Sequence, residues 1–152
     1  MRVWRAEAAE AANVARLVAE FGEWWGHNVV PEDEIRASVE RIMAGDDGEY
    51  LLGAVDGEPV GVCQLRFRWS VWKSAEDCWL EDLFVREEAR RSGLGRALVE
   101  AALDRARERG CRRIELDVNE DNAPARALYE ACGFLTEPKP PGRTLFIGRP
   151  LA

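Results

Sequence analysis

Apolar residues in the first third of the chain recur at intervals of three and four positions, the spacing of an amphipathic helix. Val14, Leu17 and Phe21 share one such face, which predicts a helix over about residues 7–21 that Gly22 and Gly26 end. A second helix is expected to begin at Pro31 and to close in the turn Gly45-Asp46-Asp47-Gly48. Two helices therefore follow a first short strand.

The pattern then changes to strict alternation, which is typical of strands. Strands are expected over residues 50–55, 63–69 and 78–85, with the dipeptide Asp56-Gly57 predicting a two-residue hairpin. In the middle strand the residues Gln64, Arg66 and Arg68 face one side, opposite Cys63, Leu65, Phe67 and Trp69. The three strands predict an antiparallel meander.

The second half of the chain returns to helical spacing. A helix is predicted from about Leu94 to Gly110, a strand over 114–118, and a last helix that ends at Gly133. Strand, helix and strand in this order predict a right-handed crossover and a parallel pair. With one or two closing strands in the tail 134–149, the fold class is α/β: a mixed sheet of six to seven strands and about four helices. The whole chain, 1–152, is expected to be one domain.

Composition narrows the functional classes. The formal net charge of −7 argues against nucleic-acid binding, which needs a basic surface, and favours cationic small molecules. No apolar run is long enough to span a membrane, so no membrane partner is expected. The spacing of the four cysteines does not match a zinc site, so no metal is expected. Unpaired cysteines indicate a reducing, cytoplasmic location; the four are Cys63, Cys78, Cys111 and Cys132.

A candidate anion site lies between the third strand and the helix at Leu94. Here Gly93 and Gly95 permit close approach of a ligand to the main chain, the helix start offers unpaired N–H groups, and Arg90, Arg91 and Arg96 add charge. The spacing fits neither a Walker loop nor a Rossmann fingerprint. The alternative is a plain helix start with solvated arginines.

Two motifs then point to one family. The segment Arg90-x-x-Gly93-x-Gly95, and some 27 residues later Asn122-x-x-Ala125-x-x-Leu128-Tyr129-x-x-x-Gly133-Phe134, resemble the two signatures of the GNAT acetyltransferase superfamily. The resemblance covers essentially the whole chain and implies acetyl-CoA as cosubstrate. One departure is Arg91, which stands where many members carry glycine.

The resemblance also implies which residues contact the cosubstrate. Two parallel strands would splay apart, and the pantetheine arm would bond to the main chain in the gap. The expected contacts are the strand end, the loop and the last helix: Leu83, Phe84, Val85, Arg90, Arg91, Ser92, Gly93, Leu94, Gly95, Arg96, Asn122, Ala125 and Tyr129. For Asn122, an N-cap of the last helix is an equally good and compatible interpretation.

Catalysis of amine acetylation needs a base, because an alkylamine is protonated at neutral pH. The strand Leu80-Glu81-Asp82-Leu83-Phe84-Val85 resembles that of diamine and thialysine acetyltransferases, in which the first carboxylate is the usual candidate. Alternation would send only one carboxylate into the cleft, and Glu81 is favoured over Asp82. By the same resemblance Tyr129 would protonate the departing thiolate. The alternatives are a solvated acid pair and a core tyrosine.

The acceptor site is expected beside the loop between the first two helices, where Trp24, Trp25 and His27 accompany Glu81. Together these features predict an N-acetyltransferase for a small cationic amine: a polyamine, a diamine or a lysine-like amino acid. Two alternatives stay open, a CoA-binding regulatory module without turnover and a protein acetyltransferase acting on an N-terminus or a lysine. A homodimer is expected by analogy alone.

Overall fold

The computed structural model describes residues 1–26, 30–135 and 147–150. Five strands form one mixed sheet in the order β1-β2-β3-β4-β5: β1 Arg2–Arg5, β2 Gly48–Ala54, β3 Gly61–Ser70, β4 Ala75–Val85 and β5 Arg113–Glu115. Four α-helices accompany them: α1 Ala11–Trp25, α2 Glu32–Met43, α3 Leu94–Glu108 and α4 Ala123–Ala131. Short 3₁₀ turns precede α1 and α3, at Ala8–Glu10 and Glu87–Ala89.

The sheet has the predicted topology. β1 to β4 pair antiparallel in chain order, and β5 pairs parallel to β4 after the crossover through α3. The α/β class, the meander and the four helices are thus confirmed. The five strands found in 1–26, 30–135 and 147–150 are fewer than the six to seven predicted, and most of the predicted closing strands fall in 136–146, outside the described residues.

Alternation along the strands builds a separate core on each face of the sheet. On one face Leu51 and Cys63 pack with Leu94 and Leu98 of α3. On the other, α1 and α2 cover a second cluster of buried residues, which includes Val14, Leu17, Val39, Leu52, Val62 and Phe84. The two layers clamp the sheet and hold β4 in place. No helix in the described parts of the chain is both long and apolar enough to cross a membrane.

Two local expectations were wrong. Gly22 does not end the first helix, which continues to Trp25 and stops at Gly26, whose φ of 75° lies in the left-handed region that favours glycine. Asp56-Gly57 does not form a two-residue hairpin. The connection from β2 to β3 comprises residues 55–60, and a 2.8 Å hydrogen bond from the Val60 N–H to the Gly53 carbonyl closes this loop.

Candidate active site

A gap opens in the sheet beside the second half of β4. β5 pairs with β4 only at Asp77, Cys78 and Trp79, whereas β4 continues to Val85. Beyond Glu115 the chain leaves the strand, so the edge of residues 80–85 has no strand neighbour on this side among the described residues. An unpaired strand edge can hydrogen-bond an extended ligand. Leu83, Phe84 and Val85 lie along this gap, and their contacts with the pantetheine arm stay a prediction.

The loop after β4 presents its main chain to solvent. Arg91 and Gly93 both have positive φ, 62° and 93°, and α3 begins directly after them. The N–H groups of five residues donate to no acceptor in the described part of the chain: Arg91, Ser92, Gly93, Gly95 and Arg96. Such N–H groups at a helix start suit an anion. Arg91 therefore adopts the conformation expected of the glycine it replaces.

The three arginines of the loop have different surroundings. Arg90 turns back, with its Nε donating to the Val85 carbonyl over 3.0 Å and its guanidinium 4.7 Å from the centre of the Trp24 ring. Arg96 forms a 2.8 Å ion pair with Glu100. Arg91 is exposed and has no ion pair within the described residues. Of these three arginines, Arg91 alone has neither a hydrogen-bond partner nor a ring partner among the described residues, so its guanidinium is the one most open to an anion.

A β-bulge alters the direction of the two carboxylates on β4. Gln64 of β3 pairs with Asp82, but Leu65 pairs with Leu80, so Glu81 is an extra residue in β4. The bulge interrupts alternation, and both Glu81 and Asp82 line one groove. Both carboxylates therefore have access to this groove, and which of them acts as the base stays a prediction. A bulge is not visible in a sequence pattern that alternates on both sides of it.

The environments of the two carboxylates differ. Asp82 is half-buried, and its pKa is raised to about 6, first by burial and then by the charges of Glu81 and Asp117. Glu81 is exposed. Neither carboxylate has a hydrogen bond or ion pair with any described residue, so both are available to a ligand.

The groove around the bulge has a volume of about 790 Å³, and we call it the bulge groove. It is lined by Asp47, Gln64, Arg66, Phe67, Arg68, Trp79, Glu81, Asp82, Arg113 and Glu115. Three residues lie side by side across the sheet at this point: Tyr50 of β2 pairs with Gln64 of β3, and Gln64 pairs with Asp82 of β4. Tyr50 is buried, and its pKa is raised by burial and by Asp82. Alternation in β3 predicts that Gln64 is on a polar face, but nothing in its sequence context indicates a role in the site.

Tyr129 lies on α4. Its ring is buried, 5.7 Å from that of Phe134, and the tyrosine belongs to the core cluster under α3. Burial, followed by Cys63, Asp117 and Asp82, raises its pKa to about 12. The hydroxyl is therefore protonated at neutral pH and can donate.

Two further predicted contacts have structural roles. The Asn122 side-chain oxygen accepts a 3.2 Å hydrogen bond from the Ala125 N–H, so Asn122 caps α4 and Pro124 sits in its first turn. The cap is confirmed, and the contacts of Asn122 and Ala125 with the cosubstrate stay predictions. A Cβ at Gly95 would lie 3.5 Å from Leu128, so this glycine faces the contact between α3 and α4.

The predicted acceptor residues stand at the end of α1. Trp24 and Trp25 are 56% and 58% exposed, which is unusual for tryptophan. Trp24 lies 6.5 Å from Phe84 between ring centres, so the end of α1 reaches the end of β4. His27 lies outside the described residues. Among the residues that are described, no group of three or more acids, cysteines or histidines is arranged to hold a metal ion.

The site fits a CoA thioester in its chemistry. The unpaired N–H groups of the loop suit a pyrophosphate, and the open edge of β4 suits the amide-bearing pantetheine arm. The gap runs along β4 between Asp82 and the loop, so an acyl group held in it would lie close to Asp82. These features come from the geometry of the described residues alone.

Comparison with known proteins agrees with this geometry. The model of the acetyltransferase (GNAT) family matches residues 13–134. A thialysine N-epsilon-acetyltransferase from Bos taurus is 30% identical over 142 residues, which cover 84% of this chain and 80% of the relative. An aminoglycoside N(6')-acetyltransferase type 1 from Stenotrophomonas maltophilia is 30% identical over 133 residues, with 86% and 83% covered.

Solved structures share the fold. A chain assigned to the acetyltransferases from Arthrobacter sp. FB24 superposes with a TM-score of 0.87 at 33% identity, covering 99% of this chain and 96% of that one. An aminoglycoside N-acetyltransferase in complex with CoA superposes with a TM-score of 0.80 at 22% identity, covering 97% and 93%. The chain belongs to the GNAT family and is an N-acetyltransferase of that type.

Proposed function

We propose that this enzyme transfers the acetyl group of acetyl-CoA to the primary amine of a small cationic acceptor by direct attack. The carrying observation is the bulge that brings Glu81 and Asp82 into one groove, next to the open edge of β4. Relatives named for thialysine and for aminoglycosides both acetylate amines, which supports a small amine acceptor. The products are an N-acetyl amine and CoA.

Residues of the loop and of β4 would hold the cosubstrate. The N–H groups of Arg91, Ser92, Gly93, Gly95 and Arg96 bind the pyrophosphate, and the Arg91 guanidinium adds charge. The open edge at Leu83, Phe84 and Val85 binds the pantetheine arm, which Asn122 and Ala125 contact from the start of α4. When bound, acetyl-CoA supplies an acetyl group activated as a thioester.

The carboxylate pair prepares the acceptor. Asp82 has a pKa of about 6, so it is ionised at neutral pH yet close enough in pKa to accept a proton from an ammonium, directly or through water. The sequence favoured Glu81 as the base. The exposed position of Glu81 suits a different task, because its charge at the groove attracts the ammonium and holds it beside Asp82.

Tyr129 would act on the leaving group. Its pKa of about 12 keeps the hydroxyl protonated, so it donates a hydrogen bond to the sulfur as negative charge develops there. A main-chain N–H at the open edge of β4, such as that of Val85, polarises the carbonyl. No residue of the chain needs to be acylated, since the amine attacks directly.

The deciding experiment follows thiol release from acetyl-CoA across a panel of diamines, polyamines, amino acids, aminoglycosides and a lysine peptide, with CoA affinity measured in parallel. We expect turnover with small amines. Tight CoA binding without turnover of any acceptor would instead indicate a regulatory CoA-binding module. Turnover of the peptide alone would indicate a protein acetyltransferase.

A further inference from the structure

The bulge groove carries opposite charges at separate positions along β3 and β4. Glu81 and Asp82 of β4 lie beside Gln64 of β3, with which Asp82 pairs. Arg68 lies in β3, four residues after Gln64. Four residues of strand correspond to roughly 13 Å between Cα atoms, and the reach of the side chains shortens this span to that of a short aliphatic chain. One ligand can therefore touch both ends.

Two of the three arginines in the groove are already neutralised by groove carboxylates. Arg66 pairs with Asp47 over 3.0 Å, and Arg113 pairs with Glu115 over 2.8 Å. Arg68 is exposed and has neither an ion pair nor a hydrogen bond with any residue that the structure describes. It is therefore the one groove arginine, among the described residues, whose guanidinium is open to an anion.

The floor between these ends is aromatic. Trp79 pairs with Arg66 in the sheet register, which places it between the row of Asp82 and the row of Arg68. Trp79 is half-buried and lines the groove. Its indole therefore contributes an apolar part to the lining of the groove between the two charged ends.

We infer, given the proposed amine acetylation, that the acceptor is a zwitterion: its ammonium lies at Glu81 and Asp82, its aliphatic chain crosses Trp79, and its carboxylate binds Arg68. The planar guanidinium fork matches a carboxylate with two parallel hydrogen bonds. A diamine or polyamine of the same length would instead place a second ammonium against the Arg68 guanidinium, which is repulsive. Arg68 is thus a specificity-determining residue.

Three acceptors of equal length separate the charges. We would measure kcat/KM for 6-aminohexanoate, 1,6-diaminohexane and hexylamine with the wild type, Arg68→Gln, Arg68→Lys and Arg41→Gln. Arg41 is an exposed arginine of α2 that does not line the groove, so it controls for loss of one surface charge. Binding of 6-aminohexanoate to the CoA complex, followed by calorimetry, gives a readout independent of turnover.

We expect the wild type to prefer 6-aminohexanoate to 1,6-diaminohexane by about 10-fold or more. Arg68→Gln should lower kcat/KM for 6-aminohexanoate by about 10–100-fold, as for loss of a hydrogen bond between charged groups. Hexylamine should be unaffected, Arg68→Lys should recover part of the loss, and Arg41→Gln should behave as wild type.

Preference for the diamine, or an equal loss for all three acceptors in Arg68→Gln, would overturn the inference. Binding of 6-aminohexanoate that depends on Arg68, without thiol release from any acceptor, would support the zwitterion site while overturning the proposed acetylation. Absence of both binding and turnover with 6-aminohexanoate, while hexylamine is acetylated, would overturn the zwitterion site and leave the acetylation standing.

Discussion

Glu81 and Asp82 are adjacent carboxylates that the bulge brings into one groove with different degrees of burial. Burial, followed by the repulsion of the neighbouring charges of Glu81 and Asp117, raises the pKa of Asp82 to about 6. The charge of Asp82 is one of the influences that raise the pKa of Tyr129, after burial, Cys63 and Asp117. The surroundings of Asp82 and Tyr129 thus shift their pKa values in the directions that suit a proton acceptor and a hydrogen-bond donor.

The pKa of Asp82 predicts the pH dependence of the reaction. Wild-type kcat/KM should fall as the pH drops through about 6, because protonated Asp82 cannot accept the proton of the ammonium. Asp82→Asn should lower kcat by about 10²–10³-fold and remove this acidic limb. Initial rates over a pH series check it, with Glu81→Gln as the control. An acidic limb that survives in Asp82→Asn and disappears in Glu81→Gln would reassign the base to Glu81.

Tyr129→Phe should separate chemistry from binding. The ring and its packing against Phe134 stay, and only the hydroxyl is lost. We expect kcat to fall by about 10–100-fold, the effect of one hydrogen bond to a developing charge. CoA affinity, measured by calorimetry, should stay within about 3-fold, since binding depends on the loop. An unchanged kcat would leave Tyr129 a core residue only.

Asp82 also predicts a cost in stability. The pKa of Asp82 is higher in the folded protein than the 3.8 of an ordinary aspartate, so its ionisation costs stability, which is lost as the pH rises from about 4 to about 6 and stays lost above that. Asp82→Asn should therefore raise the free energy of unfolding by about 1–3 kcal/mol at about pH 7.5 and by much less at about pH 4. Urea denaturation at both pH values measures this. A gain that is equal at both would contradict the origin in ionisation.

At the scale of elements, periodicity predicted most of the architecture. The helices α2 and α3, the meander and the parallel crossover follow from apolar spacing and from glycine stops. The bulge at Glu81 and the early end of β5 at Glu115 could not be predicted, because both depend on pairing between strands rather than on any one strand. These two irregularities create the groove and the gap, so the chemistry lies where regular alternation fails.

The loop before α3 is a further irregular segment of the site, and its backbone is strained at Arg91. Arg91 has a φ of 62°, which costs a residue with a side chain about 1 kcal/mol relative to glycine. Arg91→Gly should raise the free energy of unfolding by roughly 0.5–1 kcal/mol and at the same time weaken CoA binding several-fold, because a guanidinium is lost from the site. Chemical denaturation and CoA calorimetry test the two effects.

The matched control is Gly93→Ala, which places a side chain at a φ of 93° in the same loop. It should destabilise the protein by roughly 1–2 kcal/mol. If Arg91→Gly stabilised the protein without any loss of CoA affinity, the arginine would have no role in binding. The glycine-like conformation would then be its only contribution to the loop.

At the scale of the whole molecule, the site depends on the contact between its two layers. The end of α1 is tied to the end of β4 by Arg86, whose Nε donates to the Glu20 carboxylate over 2.6 Å while Nη2 donates to the other oxygen. Arg90 adds the stacking on Trp24. The layer that carries the tryptophans is thus fixed to the strand that carries the carboxylates.

This tie predicts a measurable coupling. In a double-mutant cycle with Glu20→Gln and Arg86→Gln, we expect a coupling free energy of about 1 kcal/mol, because the pair is bidentate and both side chains are mostly buried, 31% and 24% exposed. Urea denaturation of the four proteins gives the value. The pair Asp104–Arg107 on α3 serves as the control, since its side chains are 68% and 69% exposed and solvent screens their attraction. Equal coupling in both pairs would mean that the contact between α1 and β4 adds nothing beyond a surface ion pair, and apolar packing alone would then hold Trp24 beside Phe84.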